Sequence, residues 1–428
     1  MCHAESAKSS GGKAGSYHVR RSRKGQLPPE GVGGTVCVLS KGPFLDPLFG
    51  GLAVDHCILV GCDLHDRSML LKYALGCREV KKRVFGNTRA AHAELIRWLH
   101  RASAEAGGAK VYFAYEASGL GFVLYDRLTA AGIMCYVLAP TKMERSVKSR
   151  TTKCDERDAE AVLRVLRSGV LLGERLPAVT VPNATARDDR EATRGREAVA
   201  EKIGGVKAEV RTLLKRYGVE KPKGVGDSWG GGHRRWLGSL VRVGGELGTY
   251  GAVCLESLLA QLGALEAEAK HLDEHVRALS KTERHAAAVK RMTSVKGVGT
   301  LTALTFRLEL GDPTRFRNRR EVGAYCGLVP TQSESGETTE RKGHITHQGP
   351  PRLRRILCQA AHVWVRFDPV AKATYEHLLA RNSKKRKKIA LVALMRRLAI
   401  RLWHLAKGEG LPEDRPAATP SPGEPQKP

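Results

Sequence analysis

Between residues 57 and 166, short apolar runs alternate with amphipathic segments, and the order of these segments limits the possible folds. The apolar runs have the length and composition of buried strands, and they cover residues 57–63, 69–75, 79–85, 111–115 and 133–138. Helices are predicted at 88–99, at 119–131 and from Asp155 onward. The resulting order is three strands, helix, strand, helix, strand, helix. It predicts an antiparallel meander continued by crossover units, in an α/β domain over residues 53–180.

Two later segments carry apolar residues at alternating steps of three and four, the heptad pattern of packed helices. The first series is Val199, Ile203, Val206, Val210 and Leu213, and the second is Leu255, Leu258, Leu262, Leu265, Ala269, Leu272, Val276 and Leu279. A helical coiled-coil insertion over residues 181–285 is therefore predicted, with the Gly-rich stretch 222–251 looping between its two helices. The pattern favours association of two chains, and a hairpin within one chain is the alternative.

Residues 286–407 are predicted to form a mostly helical C-terminal domain. Its predicted features are a glycine turn at 295–299, a helix at 319–327, a polar stretch at 331–349, and helices at 352–367 and 375–406, the last broken by lysines at 384–388. The Gly-, Ser- and Lys-rich arm (1–52) and the Pro-rich tail (408–428) are predicted to be disordered.

The chain has a formal net charge of +28, from 72 Lys and Arg against 44 Asp and Glu. A surplus of this size indicates a polyanionic partner, and nucleic acid is the first candidate because phosphate contacts release condensed counterions. The ten cysteines include no CxxC pair, which favours reduced thiols over a zinc site. No apolar run is long enough for a membrane span, and the N-terminus lacks the build of a signal peptide.

Four acidic residues end predicted strands or begin a predicted helix. Asp63 and Glu116 each close an apolar strand, while Asp155 and Asp158 lie three apart on one helix and so share a face. Four carboxylates on one rim repel one another unless cations lie between them. Two Mg²⁺ ions about 4 Å apart would fit such a site and could activate an attacking oxygen at a phosphodiester. For any one of these acids alone, a solvated surface charge or a helix cap is the alternative.

The segments around these acids carry a family resemblance. Residues 60–65 (VGCDLH), 115–119 (YEASG) and 153–159 (KCDERDA) resemble the three signature blocks of the Asp-Glu-Asp-Asp insertion-sequence transposases. Further along, residues 294–299, 311–316, 324–330, 335–336 and 352–355 resemble the C-terminal transposase domain of the same family. The blocks span about residues 57 to 367 in family order.

The resemblance implies a RuvC-like, ribonuclease-H-fold domain and a recombinase guided by a bridge RNA. It also implies a serine nucleophile at Ser335, with Ser333 in reserve, that joins covalently to DNA. The acids of one subunit would then meet the serine of another, so a homo-oligomer is expected. The family further implies a cytoplasmic, nucleoid-associated protein of a bacterium or archaeon.

Several basic residues are candidates for nucleic-acid contact. The guide RNA of the family would be bound by arginines of the first coiled-coil helix, here Arg187, Arg190 and Arg194. Arg352, Arg354 and Arg355 form another basic cluster. Lys296, Gly297 and Gly299 match a helix-hairpin-helix turn, which brings backbone N–H groups close to a phosphate, although a plain interhelical turn fits the same letters.

Two other functions are compatible with the acids. A structure-selective endonuclease of the Holliday-junction resolvase type would use the same carboxylates with water as the nucleophile, and it would not need Ser335. A nucleic-acid-binding protein with a decayed site is the second alternative, which the presence of all four acids disfavours. The chain departs from the family in its long N-terminal arm, in the Gly-rich stretch 224–251, and in Cys154, where threonine is common.

Overall fold

The computed structural model describes residues 56–143, 154–226, 229–242, 244–335, 338–380 and 387–408. The predicted arm at 1–52, the tail beyond residue 408 and part of the lysine-rich break lie outside these ranges. The described strands are β1 (Cys57–Leu64), β2 (Ser68–Leu75), β3 (Lys81–Gly86), β4 (Lys110–Glu116), β5 (Met134–Leu138), β6 (Pro330–Ser335) and β7 (Thr338–Ile345).

The described helices are α1 (Arg89–Glu105), α2 (Val123–Ala130), α3 (Asp155–Leu172), α4 (Ala184–Arg216), α5 (Gly231–Ser239), α6 (Gly248–Ser280), α7 (Glu283–Thr293), α8 (Thr300–Leu310), α9 (Arg319–Tyr325), α10 (Pro351–Phe367), α11 (Pro369–Ala380) and α12 (Lys387–Lys407). Within the described ranges, none of these helices combines the length and the apolar character that crossing a lipid bilayer requires.

Strands β1 to β5 form one sheet in the order β3-β2-β1-β4-β5. The pairs β1–β2 and β2–β3 are antiparallel, whereas β1–β4 and β4–β5 are parallel. The predicted meander followed by crossover units is thereby confirmed. This mixed α/β arrangement is compatible with the ribonuclease-H-like fold that the sequence predicted.

Alternate residues of the central strands face opposite sides of this sheet. On β1, Ile58, Val60 and Cys62 pack in a core with side chains of α1 and α2. Cys57 and Leu59 pack on the other side, against Val162, Leu163 and Leu166 of α3. Helix α3 therefore covers the face to which the odd-numbered residues of β1 point, and this face carries the acids described below.

The two long helices α4 and α6 pack against each other as an antiparallel pair. Ion pairs join Arg196 to Asp273 at one end of the pair and Lys207 to Glu266 farther along. Buried members of both heptad series lie between the helices, among them Val210 and Leu255. Residues of the two heptad series thus pack against each other in a hairpin within one chain. This is the alternative to the association of two chains, which the sequence pattern favoured. The Gly-rich connection is also less irregular than predicted, because it contains α5.

The C-terminal region is mostly helical, as predicted, but it also contains a two-stranded hairpin. The polar stretch, for which no secondary structure was predicted, forms β6 and β7, which pair antiparallel from Pro330–Ile345 to Ser335–Thr338. The predicted helix from Tyr375 begins earlier, at Pro369, because the Asp368 side chain accepts hydrogen bonds from the amides of Val370 and Ala371. Strand pairing there was missed because the stretch lacks alternating apolar residues.

One more boundary differs, next to the site. The helix predicted from Gly119 begins only at Val123. Gly121 has φ of 71°, which a right-handed helix cannot include, and the Leu120 amide donates to the Ser118 hydroxyl. These residues form a turn beside the end of β4.

Charged contacts join the long helical hairpin to the C-terminal helices. The Glu309 carboxylate of α8 is almost fully buried and accepts hydrogen bonds from Arg194 of α4 and Arg352 of α10. The buried Asp189 of α4 accepts two hydrogen bonds from Arg284, which hold the pKa of its carboxyl below the usual value, although burial opposes that shift. We refer to this set of contacts as the arginine junction. Because both carboxylates are buried and each is paired with arginine, removing an arginine would leave a buried charge without its partner, and these contacts therefore tie the hairpin to the C-terminal helices.

Candidate active site

The strand register brings Asp63 and Glu116 to the same edge of the sheet. In the parallel pair of β1 and β4, Cys62 lies opposite Tyr115, so the next residues, Asp63 and Glu116, are neighbours. Asp63 follows Leu59 and Gly61 on the face covered by α3, and Glu116 follows Tyr112 and Ala114 on that same face. The two carboxylates therefore belong to one side of the sheet edge.

Helix α3 lies directly on β1 because Gly61 has no side chain. A Cβ atom at Gly61 would lie 2.4 Å from the Leu163 amide nitrogen and 2.5 Å from the Ala159 carbonyl oxygen. This close approach brings the first turn of α3, with Asp155 and Asp158, next to the end of β1. Glycine is thus required by backbone contact at this position and not by its conformation.

The first turn of α3 is also tied to the sheet by charge. Glu156 accepts hydrogen bonds from Lys82 on β3 and from Lys72 on β2, the latter at 3.0 Å. These two lysines lower the pKa of the Glu156 carboxyl. Lys72 lies opposite Gly61 in the β1–β2 register, so it points toward α3. Glu156 therefore acts as an anchor and leaves its neighbour Asp155 directed toward Asp63.

Asp63 and Asp155 meet with a third group, His65. Donor atoms of all three residues lie within 4.8 Å of one another. The His65 Nε2 atom is 2.9 Å from Asp63 Oδ2 and 3.5 Å from Asp155 Oδ1. Burial raises the pKa of Asp63, and the charges of Asp155 and Asp158 add to this rise, while His65 opposes it. Two carboxylate oxygens and an imidazole nitrogen at this spacing suit a divalent cation.

The four predicted acids thus come from three segments that meet at one sheet edge. Asp63 and Asp155 are brought into direct proximity, and Asp158 is close enough to act on Asp63 electrostatically. Glu116 is adjacent to Asp63 by strand register. His65 was not predicted as a site residue, although it lies only two residues after Asp63.

The turn that carries His65 is held by a chain of hydrogen bonds. Arg127 donates to Nδ1 of the buried His92 at 2.7 Å, so His92 carries its proton on Nε2 and donates it to the Asn87 side-chain oxygen. The Asn87 amide group in turn donates to the His65 carbonyl oxygen at 2.7 Å. Burial, helped by the Arg127 charge, lowers the pKa of His92, which keeps its ring neutral as the chain of bonds requires.

An open cavity adjoins the acids. Its walls are formed by the β1–β2 turn and by the turn after β4, and its volume is about 730 Å³. The lining residues include His65, Arg67, Ser68 and Ser118. Arg67 and the two hydroxyl groups are suitable contacts for a phosphate backbone, and the lining also includes the carboxylate of Asp66.

Ser333 and Ser335 lie on β6, where the backbone of Ser335 pairs with Thr338 at the closed end of the hairpin. Among the described elements, this hairpin makes its extensive contacts only between its own two strands.

Lys296 is exposed in the turn before α8. Gly297, with φ of 88°, packs against α10, where a Cβ would lie 2.8 Å from the Ala360 carbonyl oxygen and the Trp364 amide. Gly297 is therefore needed for this helix packing, and Gly299 has open space around it. A phosphate contact by this turn stays a prediction.

The predicted nucleic-acid-binding arginines make contacts within the chain. Their partners are as follows: Arg187 pairs with Asp126, Arg190 donates to the Leu308 carbonyl, Arg194 to Glu309, Arg352 to Glu197 and Glu309, Arg354 to the Cys326 and Gly349 carbonyls, and Arg355 to Glu197 and Glu201. Five of these arginines thus help to hold the C-terminal helices and α4 in place. A further role in binding nucleic acid stays a prediction for all six.

Comparison with known proteins gives one match that covers the sheet and α4 and a second that covers part of the C-terminal region. A family model for IS110 DEDD transposases matches residues 60–219, which hold the acids, and the model of the transposase IS116/IS110/IS902 family matches residues 289–376. A putative transposase, y4qE, of Sinorhizobium fredii is 30% identical over 330 residues, 77% of each chain.

More distant relatives cover similar shares. The transposase for insertion sequence element IS1328 of Yersinia enterocolitica is 23% identical over 81% of this chain and 95% of its own. The transposase for element IS1533 of Leptospira borgpetersenii is 23% identical over 71% of this chain and 84% of its own.

Proposed function

The chain belongs to the IS110 family of DEDD insertion-sequence transposases and is an enzyme that acts on DNA, and we propose that its acids form the metal-dependent half of the strand-cleavage site. The observation that carries this proposal is the meeting of Asp63, His65 and Asp155 at the sheet edge, with donor atoms within 4.8 Å. Asp158 and Glu116 complete the set of four acids.

Divalent cations are the group that these residues would hold, and two Mg²⁺ ions are our proposal for their identity and number. When bound, they would supply Lewis-acid stabilisation of the oxygens that attack and leave the phosphorus. The protein's own contribution is the rigid presentation of its carboxylates. Gly61 seats α3 on β1, Glu156 anchors the first turn of α3, and Asn87 holds the β1–β2 turn.

The proposed nucleophile is the hydroxyl group of Ser335, with Ser333 as the alternative. Its oxygen would form a phosphoester with the cut strand while the phosphorus–oxygen bond to the adjoining sugar breaks, and the leaving sugar oxygen would take up a proton. A serine hydroxyl needs activation because its pKa is high. This step is supported by the family resemblance of the serine segment and by its place in a β-hairpin, where Ser335 pairs with Thr338.

We further propose a composite site, in which the acids of one subunit act with the serine of another. The resemblance supports this arrangement, and it makes an oligomer a condition of cleavage. Many heptad residues are buried in the hairpin of one chain, whereas others, such as Ile203 and Leu265, are only half-buried.

Replacing Ser335 by alanine tests the nucleophile. We expect loss of the covalent protein–DNA adduct, measured as DNA that stays attached to denatured protein, and loss of strand transfer with it. Ser333→Ala is the matched control and should retain the adduct. If Ser335→Ala still cuts DNA at the full rate without an adduct, water is the nucleophile and the enzyme is a resolvase-like endonuclease.

A mixture of two inactive variants tests the composite site. An Asp63→Asn chain and a Ser335→Ala chain should each be inactive alone and regain cleavage when mixed, because one subunit would supply the acids and the other the serine. A mixture that never regains cleavage, although the two chains associate, contradicts the arrangement in trans.

Guidance by an RNA is also proposed, on the family resemblance and on the net charge of +28. The purified protein should carry a discrete RNA, and removal of that RNA with nuclease should reduce insertion at the specific site. Nuclease-treated protein that inserts DNA at the full rate would contradict RNA guidance.

A further inference from the structure

The His65 ring occupies the space between two of the acids and is not a solvent-facing surface group. His65 follows the end of β1 directly, and its ring lies beside Asp63. Its Nε2 atom is 2.9 Å from Asp63 Oδ2 and 3.5 Å from Asp155 Oδ1. Two thirds of the side chain is covered, since its exposed fraction is 36%.

These separations are those of neighbouring ligands around one ion. Ligand atoms about 2.1 Å from an octahedral cation and at right angles to each other are about 3 Å apart. His65 Nε2 lies 2.9 Å and 3.5 Å from the nearest oxygens of Asp63 and Asp155, and donor atoms of all three residues lie within 4.8 Å, so one ion could bind all three after small side-chain adjustments.

The backbone of His65 is also held in place more firmly than a surface turn requires. Asn87 donates to its carbonyl oxygen and accepts a hydrogen bond from His92 of α1, which itself accepts one from Arg127 of α2. The His65 amide donates to the Ser68 carbonyl, which closes the turn between β1 and β2. The ring is thus directed toward the acids by contacts that reach across the domain.

From this geometry we propose that His65 is a nitrogen ligand of the cation site and shifts its preference from Mg²⁺ toward first-row transition ions such as Co²⁺ and Mn²⁺. The inference rests on the proposed cation site and adds a fifth residue to the four acids. Mg²⁺ takes oxygen ligands almost exclusively, whereas transition ions gain affinity from imidazole. A site of carboxylates alone would lack this preference.

The test is a calorimetric titration of the full-length protein with Co²⁺ and, separately, with Mg²⁺. Replacement of His65 by asparagine, which retains hydrogen bonding to Asp63, should weaken Co²⁺ binding at least about tenfold. Mg²⁺ binding should change much less. The visible absorption of bound Co²⁺ should also change in the variant, because that spectrum reports loss of a nitrogen ligand independently of catalysis.

Two other histidines that could bind Co²⁺ must be replaced before the titration. His271 and His275 are exposed on α6, one turn apart, with their Nε2 atoms 3.3 Å from each other, and such a pair can itself bind Co²⁺. Both proteins should therefore carry His271→Gln and His275→Gln. His100→Asn, at a histidine remote from the acids, is the matched control and should leave both affinities unchanged.

Equal Co²⁺ affinity before and after the His65 change would overturn the inference. So would an equal loss for Co²⁺ and Mg²⁺, since His65 would then only position Asp63. If His65→Asn does not fold, His65→Gln takes its place in the same titration. A wild-type protein that binds neither ion refutes the cation site itself. Asp155→Asn distinguishes this result from a failure of the inference about His65. If Co²⁺ binding is lost in Asp155→Asn but kept in His65→Asn, only the ligand role of His65 is refuted.

Discussion

Asp63→Asn is expected to lower the rate of DNA-strand cleavage by about three orders of magnitude, because cation-mediated stabilisation of the transition state is worth several kcal/mol. The substitution retains the size of the side chain and its ability to accept a hydrogen bond from His65. It removes the negative charge that holds a cation at the sheet edge. Cleavage of a labelled DNA substrate in the presence of Mg²⁺ measures the loss.

The same substitution should leave the protein without cation slightly more stable. Burial raises the pKa of the Asp63 carboxyl, and the charges of Asp155 and Asp158 raise it further. A carboxyl whose pKa is higher in the folded protein than in the unfolded chain disfavours folding once it is ionised. This penalty is absent below the unfolded pKa and sets in as the pH rises, so at neutral pH the neutral asparagine removes it. The melting temperature in a chelating buffer should therefore rise.

Substitution of a catalytic acid lowers the cleavage rate but can raise the stability, whereas substitution of a structural acid lowers both. Glu160→Gln, at an exposed position of the same helix as Asp155, is the matched control and should change neither quantity. An Asp63→Asn protein that melts at a lower temperature, yet cleaves DNA at the wild-type rate when measured below that temperature, would contradict the assignment. It would mean that Asp63 maintains the fold and does not hold the cation.

Gly61→Ala is expected to have the largest effect on stability. The added methyl group would overlap the backbone of Leu163 and Ala159, which cannot move aside as a flexible side chain can. We expect a loss of about 3 kcal/mol in the free energy of unfolding, at the upper end of overpacking effects. Cleavage should fall as well, because α3 must move away from β1 and takes Asp155 with it. Urea denaturation and the cleavage assay measure the two effects.

Gly263→Ala is the control for the change from glycine to alanine. Gly263 is exposed in the interior of α6, with no atom within 4 Å of an added Cβ. Alanine there should stabilise the protein by about 0.5–1 kcal/mol, since glycine in a helix costs backbone entropy. If Gly61→Ala behaved like this control, the helix could not be seated on β1 as closely as described.

The acids could be predicted from sequence because their positions depend on local patterns. A strand that ends in Asp63 and another that ends in Glu116 follow from apolar runs, and the helix at Asp155 follows from its apolar face. Once the strands are parallel and adjacent, their ends must meet. The role of Gly61 is different, because it depends on which helix crosses β1 and where, and a single glycine in a strand does not reveal its neighbour.

The basic residues show the limit of reasoning from composition. Arg194 and Arg352 look like a nucleic-acid surface in the sequence, yet both bind the buried Glu309. Their partner lies more than 40 positions from the nearer of them along the chain and is recognisable only in the folded protein. The β6–β7 hairpin was missed for a related reason, since its strands are polar and carry no alternation that distinguishes a strand from a loop.

The hairpin of α4 and α6 sets a length scale for the whole protein. Each helix has 33 residues, which corresponds to about 50 Å at 1.5 Å per residue. The arginine junction lies at one end, and Tyr217 and Gly251 meet at the other. In units of double-stranded nucleic acid, 50 Å is about 15 base pairs, or one and a half helical turns. A duplex lying along the hairpin would therefore present opposite sides to its two ends.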